Sequence, residues 1–530
     1  MLERWCLELV AQPDPAHMTG PPDVDAPEAA VTRGLARLSN PVTRRAFLKS
    51  SGRAAAAAGL ASQLGWLTAC SGAGSPNWSG LARSLHGRLI RPGQPGYQDA
   101  ALPQNLRYAT RLPAGIARCA DAGDVRTAIR WARDNGVSLV PRGGGHSYAG
   151  YSTTPGLLID LNGMTSVSAD PASGTARVVG AARNRDLASA LQPLEMTVSA
   201  GRCPGVAVGG LTLGGGFGFS ARQLGLTADA LLETEIVTAA GDLLTCNATQ
   251  NPDLFWACRG GGGGNFGINT SFTFRTTPVG DVSVYRCTWK SVDAALLFDT
   301  FQRVLAGAPD GFSMRLGFGA ATSPQGAVSL EAIGQHFGPS AQLAELLAPA
   351  FAVAAPTTKE VRDVTYWEGK DLLADNEGPS AFTERSLFVP QPVGSAGLGA
   401  LAELLHELPT TTAPSGGSVK VFSWGGAINR VPSAATAFVH RDALALLSVG
   451  VNWVTDEESR NIGRLLAWAT RVWETMRAYT STQSYQNFID PALTDWQQAY
   501  YGANFDRLVS VKRQVDPDDV FRFAESIPVR

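Results

Sequence analysis

The stretch Val140-Pro-Arg-Gly-Gly-Gly-His-Ser-Tyr-Ala-Gly-Tyr-Ser152 decides the fold. An apolar run, Val137 to Val140, leads into it and reads as a buried strand. Gly143, Gly144 and Gly145 carry no Cβ, so the backbone there turns sharply and approaches a neighbour closely. Successive N–H groups in such a loop form a concavity that favours anions such as a pyrophosphate. Arg142 enters the loop; His146 and Ser147 leave it. Taken by itself the loop admits two readings, a histidine satisfied inside a tight turn or a histidine presented to a ligand.

A second glycine-rich stretch runs Gly201-Arg-Cys-Pro-Gly-Val-Ala-Val-Gly-Gly-Leu-Thr-Leu-Gly-Gly-Gly-Phe-Gly218, with Cys203 placed 57 residues after His146. Three more segments follow: Asn251-Pro-Asp-Leu-Phe-Trp256 with Arg259-Gly-Gly-Gly-Gly-Gly-Asn-Phe-Gly-Ile268, then Tyr485-Gln-Asn-Phe-Ile-Asp490, then Tyr500-Tyr-Gly-Ala-Asn-Phe-Asp-Arg-Leu508. Neither glycine run fits the common nucleotide motifs. Gly260 to Gly264 lacks the Lys-Ser/Thr of a P-loop, and Gly214 to Gly218 lacks the downstream acid of a dinucleotide βαβ unit.

Together, from about residue 85 to the C-terminus, these motifs resemble the berberine bridge enzyme-like family of FAD-linked oxidases, which share the PCMH-type fold of vanillyl-alcohol oxidase. The resemblance implies FAD bonded through His146 to the flavin 8α-methyl and through Cys203 to C6. It implies cofactor contacts from Arg142, Gly143, Gly144, Gly145, Ser147, Val206, Gly209, Gly210, Gly215, Gly218, Asn265, Gly267, Ile268 and Asn504. It also makes Tyr485 the catalytic base, with Asn487 beside it. Val206 matches the position where a small residue admits oxygen to the flavin. Two departures stand out: Phe217 replaces a Tyr that partners the base in many relatives, and Ser448 is the nearest match to a strand Glu or Gln in others.

The chemistry asks specific things of these residues. An imidazole must be neutral to attack the 8α-methyl, and a thiol, titrating near ~8.5, must react as the thiolate. A phenol titrates near ~10, so a base made from one needs a nearby cation or hydrogen-bond donors. Cys246 and Cys258 read as small buried hydrophobes. A metal site from His146 and the cysteines lacks ligand spacing, and none is expected.

The chain's 530 residues exceed one core, so at least two domains are expected. A hydrophobic content of 44% and a net charge of −2 describe a soluble globular protein with no basic excess for nucleic acid. Seven scattered cysteines give neither a zinc pattern nor a disulfide framework. Residues 1–75 read as a disordered extension, a twin-arginine signal at Thr43-Arg-Arg-Ala-Phe-Leu-Lys49 with the Ala54 to Ala69 run, and a tether. The stretch before Thr43 is long for a signal, which puts the expected start downstream. Leu67-Thr-Ala-Cys70 resembles a lipoprotein processing site, with Cys70 as lipid anchor, so secreted, periplasmic and envelope-bound forms all stay open.

The remaining texture is α+β. A helix is expected over Asp124 to Asn135 and another over Asn184 to Leu191; strands are expected over Leu157 to Leu161, Ala176 to Val179, Glu233 to Thr238, Leu243 to Cys246 and Ile268 to Phe274. The FAD-binding domain, with its two subdomains, spans 85–278. A substrate domain over 279–480 is expected to be an antiparallel sheet (Met314 to Phe318, Val328 to Ile333, Val419 to Ser423, Leu444 to Val454) backed by helices (Asp293 to Leu305, Ser340 to Ala348, Leu398 to His406). Thr455-Asp-Glu-Glu458 reads as a capping box opening a last helix, whose stripe is Ile462, Leu465, Leu466, Ala469, Val472, Trp473 and Met476. Residues 481–530 return to the first domain.

The function implied is an exported, monomeric, bicovalent FAD oxidase. It would take a hydride from an alcohol or hemiacetal carbon of a sugar, oligosaccharide or secondary metabolite and return hydrogen peroxide from oxygen. Two alternatives stay open: a dehydrogenase with another acceptor, and an envelope-associated FAD-containing glycan-binding protein without turnover.

Overall fold

Asp121 opens the helix that feeds the glycine loop, accepting the Asp124 N–H at 2.9 Å, and Gly136 closes it at φ +63°. This helix, α1 (Ala122–Asp134), joins the second and third of four strands: β1 (Arg88–Ile90), β2 (Gly115–Arg118), β3 (Leu139–Arg142) and β4 (Leu157–Asp160). The sheet order is β1-β2-β4-β3, with β2, β4 and β3 parallel. β3 lies at the edge, where a residue without an N–H such as Pro141 is tolerated. It starts two residues later than the apolar run suggests, so the glycine loop leaves directly from a sheet edge.

The computed structural model describes residues 76–290, 293–320, 328–375, 378–409 and 415–530. The expected signal at Arg44 and Arg45 and the processing site at Cys70 lie outside these residues.

The second sheet uses β5 (Val167–Asp170), β6 (Thr175–Val179), β8 (Leu231–Val237), β9 (Leu243–Asn247) and β10 (Ile268–Arg275), in the antiparallel order β5-β6-β10-β8-β9; β7 (Met196–Thr197) pairs separately with β11 (Thr277–Pro278). Between them run α2 (Asn184–Leu191), which has the bounds read from sequence, and α3 (Val208–Leu213), which was not foreseen among the glycines.

Directly after Pro278 the chain enters a seven-stranded antiparallel sheet: β12 (Asp281–Lys290), β13 (Arg315–Ala320), β14 (Val328–His336), β15 (Thr358–Thr365), β16 (Ala381–Val389), β17 (Gly416–Ser423) and β18 (Ala445–Trp453), ordered β15-β12-β14-β13-β17-β18-β16. One face is backed by α4 (Ala294–Gly307), α5 (Ser340–Val353), α6 (Ser395–His406) and α7 (Ser459–Arg477). Tryptophans fix that layer through their indole N–H groups: Trp468 donates to Leu404 O at 2.7 Å and Trp473 to Ser386 O at 3.1 Å. The expected capping box does not form. β18 runs to Trp453, Val454 to Glu457 make the turn, and α7 starts only at Ser459, with Glu458 as N-cap and no side-chain cap. Its buried stripe gains Trp468, while Ile462 and Leu466 are half-buried.

From Trp78 to Arg530 the sheets form one compact unit. The chain closes with α8 (Phe505–Val515), pinned by Lys512. Its fully buried ammonium donates to Asp516 Oδ2 at 2.6 Å, Phe521 O at 2.6 Å and Asn265 O at 2.9 Å. Among the described residues, no helix is long and apolar enough to cross a membrane.

Candidate active site

Tyr485 is 1% exposed and lies among Phe217, Phe422, Trp424, Phe438 and Phe488. Its phenol oxygen accepts two hydrogen bonds of 3.0 Å, from the Gly216 N–H and from Asn487 Nδ2. Asn487 also donates to Leu211 O at 2.9 Å, which fixes its side chain. Gly216 aims its N–H by adopting φ +80°, where a Cβ would stand 2.5 Å from Thr227 Oγ1. Burial pushes the Tyr485 phenol up to about 12, while Asn487, the Gly216 N–H and Arg202 pull it down. Thus the expected base and its Asn meet the second glycine stretch.

The first glycine stretch meets it from the other side. A Cβ on Gly144 would lie 2.8 Å from Ala207 N, so only glycine lets the two loops touch. His146 Nε2 lies 3.8 Å from the place a Gly205 Cβ would take, two residues after Cys203. Burial, then the charge of Arg183, pushes His146 down to about 4, so its imidazole is neutral at ordinary pH, as attachment to a flavin requires. Cys203 is half-buried and in no disulfide; its carbonyl accepts from Asn184 Nδ2 at 2.9 Å and from Val206 N at 3.3 Å. Val206 is half-buried and Gly210 exposed, with nothing within 4 Å of its Cβ position. Ser147 Oγ accepts from Tyr151 N at 3.0 Å and holds the loop's exit.

Other expected cofactor residues act inside the protein. Arg142 is buried, and its Nε, Nη1 and Nη2 donate to the carbonyls of Ser152, Ala100 and Ala101 at 2.7, 2.7 and 3.1 Å. That guanidinium staples the loop's two flanks instead of reaching outward. Asn265 donates to Gly261 O at 3.1 Å and accepts from Ile527 N at 2.9 Å, tying the third glycine run to the C-terminus. Asn504 donates to Ser433 O at 2.8 Å and to the carbonyls of Thr436 and Ala437, holding the segment before β18. Cβ positions on Gly209, Gly215, Gly218 and Gly267 would strike Phe272, Phe438, Ala200 O and Val237 O, so these glycines serve internal packing on that side. Ile268 starts β10 with its side chain in the core. Gly143 and Gly145 complete the edge turn, the latter at φ +78°.

Sequence reasoning missed a charged layer on the open face of the seven-stranded sheet. Arg315 binds Asp375 at 2.6 Å and Glu331 at 3.0 Å, Arg286 binds Glu331 at 2.5 Å, and Arg202 reaches Asp375 at 3.4 Å. Lys420 lies 3.7 Å from Glu384, a buried acid on β16 that accepts from Ser448 Oγ. Burial opposes ionisation of Asp375, but Arg202, Arg315 and Lys420 outweigh it and hold the acid down to about 2. Phe422 shares the period-two face of β17 with Lys420, and Phe217 touches both Phe422 (5.4 Å) and Tyr485 (5.4 Å between ring centroids). The layer therefore borders the base. Period-two spacing on β16 and β17 could have revealed it, had those strands been assigned in full.

Tyr485 held by two donors, and a neutral His146 and Cys203 on touching glycine loops, are what an FAD-linked oxidoreductase would need, and the loops, His146 and Cys203 suit that cofactor. An FAD binding domain model matches residues 113–247, and a berberine and berberine-like model matches residues 484–528. The uncharacterized FAD-linked oxidoreductase YgaK of Bacillus subtilis is 33% identical over 454 residues, 84% of this chain and 97% of its own. Xylooligosaccharide oxidase of Thermothelomyces thermophilus is 30% identical over 448 residues, 78% of this chain and 87% of its own. The structure of Physcomitrella patens BBE-like 1 matches with a TM-score of 0.76 at 31% identity, over 85% of this chain and 98% of that one. The chain belongs to the berberine bridge enzyme-like family, and it is an FAD-dependent oxidoreductase.

Proposed function

We propose that the protein is an oxidase of sugars or oligosaccharides, acting on an alcohol or hemiacetal carbon, with FAD attached through both His146 and Cys203. The observation that carries this reading is the Tyr485 oxygen, buried, held by two donors and bordered by the charged layer. Tyr485 takes the substrate hydroxyl proton while the hydride leaves the same carbon, which becomes a carbonyl. Asn487 and the Gly216 N–H keep the phenol oxygen in place through that transfer. FAD, when bound, supplies the hydride acceptor and the site where oxygen is reduced to hydrogen peroxide. Arg315, Lys420, Glu331 and Glu384 offer alternating donors and acceptors, which suits a polyhydroxylated substrate. A relative named for xylooligosaccharide supports the class.

Anaerobic mixing with a panel of mono- and oligosaccharides tests the proposal. Bleaching of the flavin by a sugar supports it; a panel that leaves the flavin yellow while an aromatic alcohol bleaches it overturns the substrate class. Export by the twin-arginine route belongs to the same reading and rests on Arg44 and Arg45. Arg44→Lys with Arg45→Lys should leave folded enzyme in the cytoplasm, and unchanged export rejects that route.

A further inference from the structure

A buried phenolate needs a cation, and burial alone sets Tyr485 against ionisation. Arg202, one residue before Cys203, places its guanidinium carbon 4.2 Å from the Phe422 centroid and 5.4 Å from that of Phe217. Phe217 in turn packs edge-on against Tyr485. Among the described residues the ionic partner of Arg202 is Asp375, at 3.4 Å, and Arg315 already engages that acid at 2.6 Å. The Arg202 Nη1 is buried without a hydrogen-bond partner among the described residues. Its positive charge is thus only partly cancelled, beside the Phe217 and Phe422 rings.

The other charges around Tyr485 are committed. On β16, Glu384 is held by Ser448 and Lys420, and Arg385 turns to Asp490 at 2.6 Å. On β17, Lys420 faces Glu384; on β13, Arg315 is divided between Glu331 and Asp375. Behind Phe438, Arg441 pairs with both oxygens of Asp229 at 2.8 Å. His440, stacked on Phe388 at 4.1 Å, is pushed down to about 4 by burial and stays neutral. The loop Gly214 to Gly218 carries no charge.

We propose that Arg202 is a positioning residue for this oxidation: the cation that favours the Tyr485 phenolate, with Asp375 limiting its strength. The phenol O–H proton leaves to solvent, and the phenolate then accepts the proton of the substrate hydroxyl. The proposal rests on Tyr485 as the base. It gives the chain, from the flavin-anchoring loop, the cation its phenol requires.

The test is direct titration of the phenol. Holoenzyme is labelled with ¹³C at tyrosine Cζ, and the resonance absent from Tyr485→Phe is followed upward from neutral pH through and beyond the ordinary tyrosine range near ~10, for as long as the fold holds. Arg202→Met should move its midpoint up by about one unit or more. Arg202→Lys should keep it near wild type, and Asp375→Asn should move it down. A midpoint unchanged in Arg202→Met and Asp375→Asn overturns the proposal, as does an Asp375→Asn midpoint at or above that of the wild type. Should Arg202→Met fail to fold, Asp375→Asn against wild type decides, since a merely structural Arg202 predicts no downward shift. Failure of Tyr485 as base reads out separately, as unchanged anaerobic flavin reduction in Tyr485→Phe by the sugar that bleaches the wild type.

Discussion

Ser448 donates its hydroxyl to Glu384 across the β16–β18 ladder, so the acid of this sheet stands one strand away from the place the sequence pattern marks. Glu384 faces the charged layer, not the helices, because it shares the period-two face of Ser386 and Phe388. Glu384→Gln keeps the shape and removes the charge. It should raise KM for a sugar substrate roughly ten-fold with a smaller change in kcat, since a hydrogen bond to a charged group contributes about 1.5–3 kcal/mol. Steady-state kinetics with an unchanged KM would remove Glu384 from the substrate site.

Tyr485→Phe removes the base and keeps the ring inside its aromatic cluster. Anaerobic flavin reduction should fall by about two orders of magnitude or more, the scale of a positioned base. Reoxidation by oxygen should barely change, because the proton assigned to Tyr485 belongs to the substrate half-reaction. Stopped-flow measurement of both half-reactions separates them; equal slowing of both would make Tyr485 structural.

Cys203→Ala should leave flavin attached through His146 alone, and His146→Ala with Cys203→Ala should leave FAD that denaturation releases. Acid precipitation followed by absorbance of the supernatant reads this out. Because burial keeps His146 neutral above about pH 4, attachment in the Cys203→Ala protein should proceed equally well at pH 6 and pH 8. Flavin that stays bound to the double variant would place the anchor elsewhere.

Lys512 and Asp516 form a fully buried pair. Asp516→Ala leaves the buried ammonium with only Asp519, at 3.4 Å, as an ionic partner among the described residues, and also frees the N–H groups of Val520 and Phe521, which the carboxylate accepts at 2.8 and 2.9 Å. The expected loss is about 3–5 kcal/mol, the cost of breaking a buried pair by removing one partner. Chemical denaturation that shows a loss below 1 kcal/mol would contradict this.

Burial pushes the Glu525 carboxyl up to about 7; the Tyr151 hydroxyl, 2.8 Å away, opposes the shift and Asp490 adds to it. An unfolded Glu titrates near ~4.3. Between these values the folded chain holds a proton that the unfolded chain has lost, so this group's contribution to stability falls as pH rises from about 4 to about 7 and is flat above. Glu525→Gln mimics the neutral acid. It should raise the melting temperature at pH 8 and change it little at pH 4; equal effects at both would refute the assignment.

The sequence carried the identity of the site better than its mechanics. Tyr485, Asn487, His146 and Cys203 were legible as candidates, and the structure brings Tyr485 to Asn487 and Gly216 and the His146 loop to the Cys203 loop; their chemical roles belong to the proposal. The roles of Arg142, Asn265 and Asn504 were not legible, because a polar side chain that holds backbone carbonyls looks in sequence like one that holds a ligand. The charged layer escaped for a different reason. β12 and β16 mix apolar and charged residues on two largely buried faces, and β15 is an edge strand that is mostly exposed or half-buried, so none shows the clean alternation that marks a strand. The capping box misled because β18 needed its residues for a turn.

The closure of the chain by Lys512, and of Ile527 onto Asn265, bears on when this enzyme becomes an enzyme. The loop at His146 is synthesised early, yet Tyr485 reaches Gly216, and Glu525 reaches Tyr151, only from the last part of the polypeptide. Those contacts form only once the segment from Tyr485 to Glu525 has been made and has folded back. The candidate site is therefore assembled from segments far apart in the chain. A translocation path that unwinds its cargo would undo that assembly.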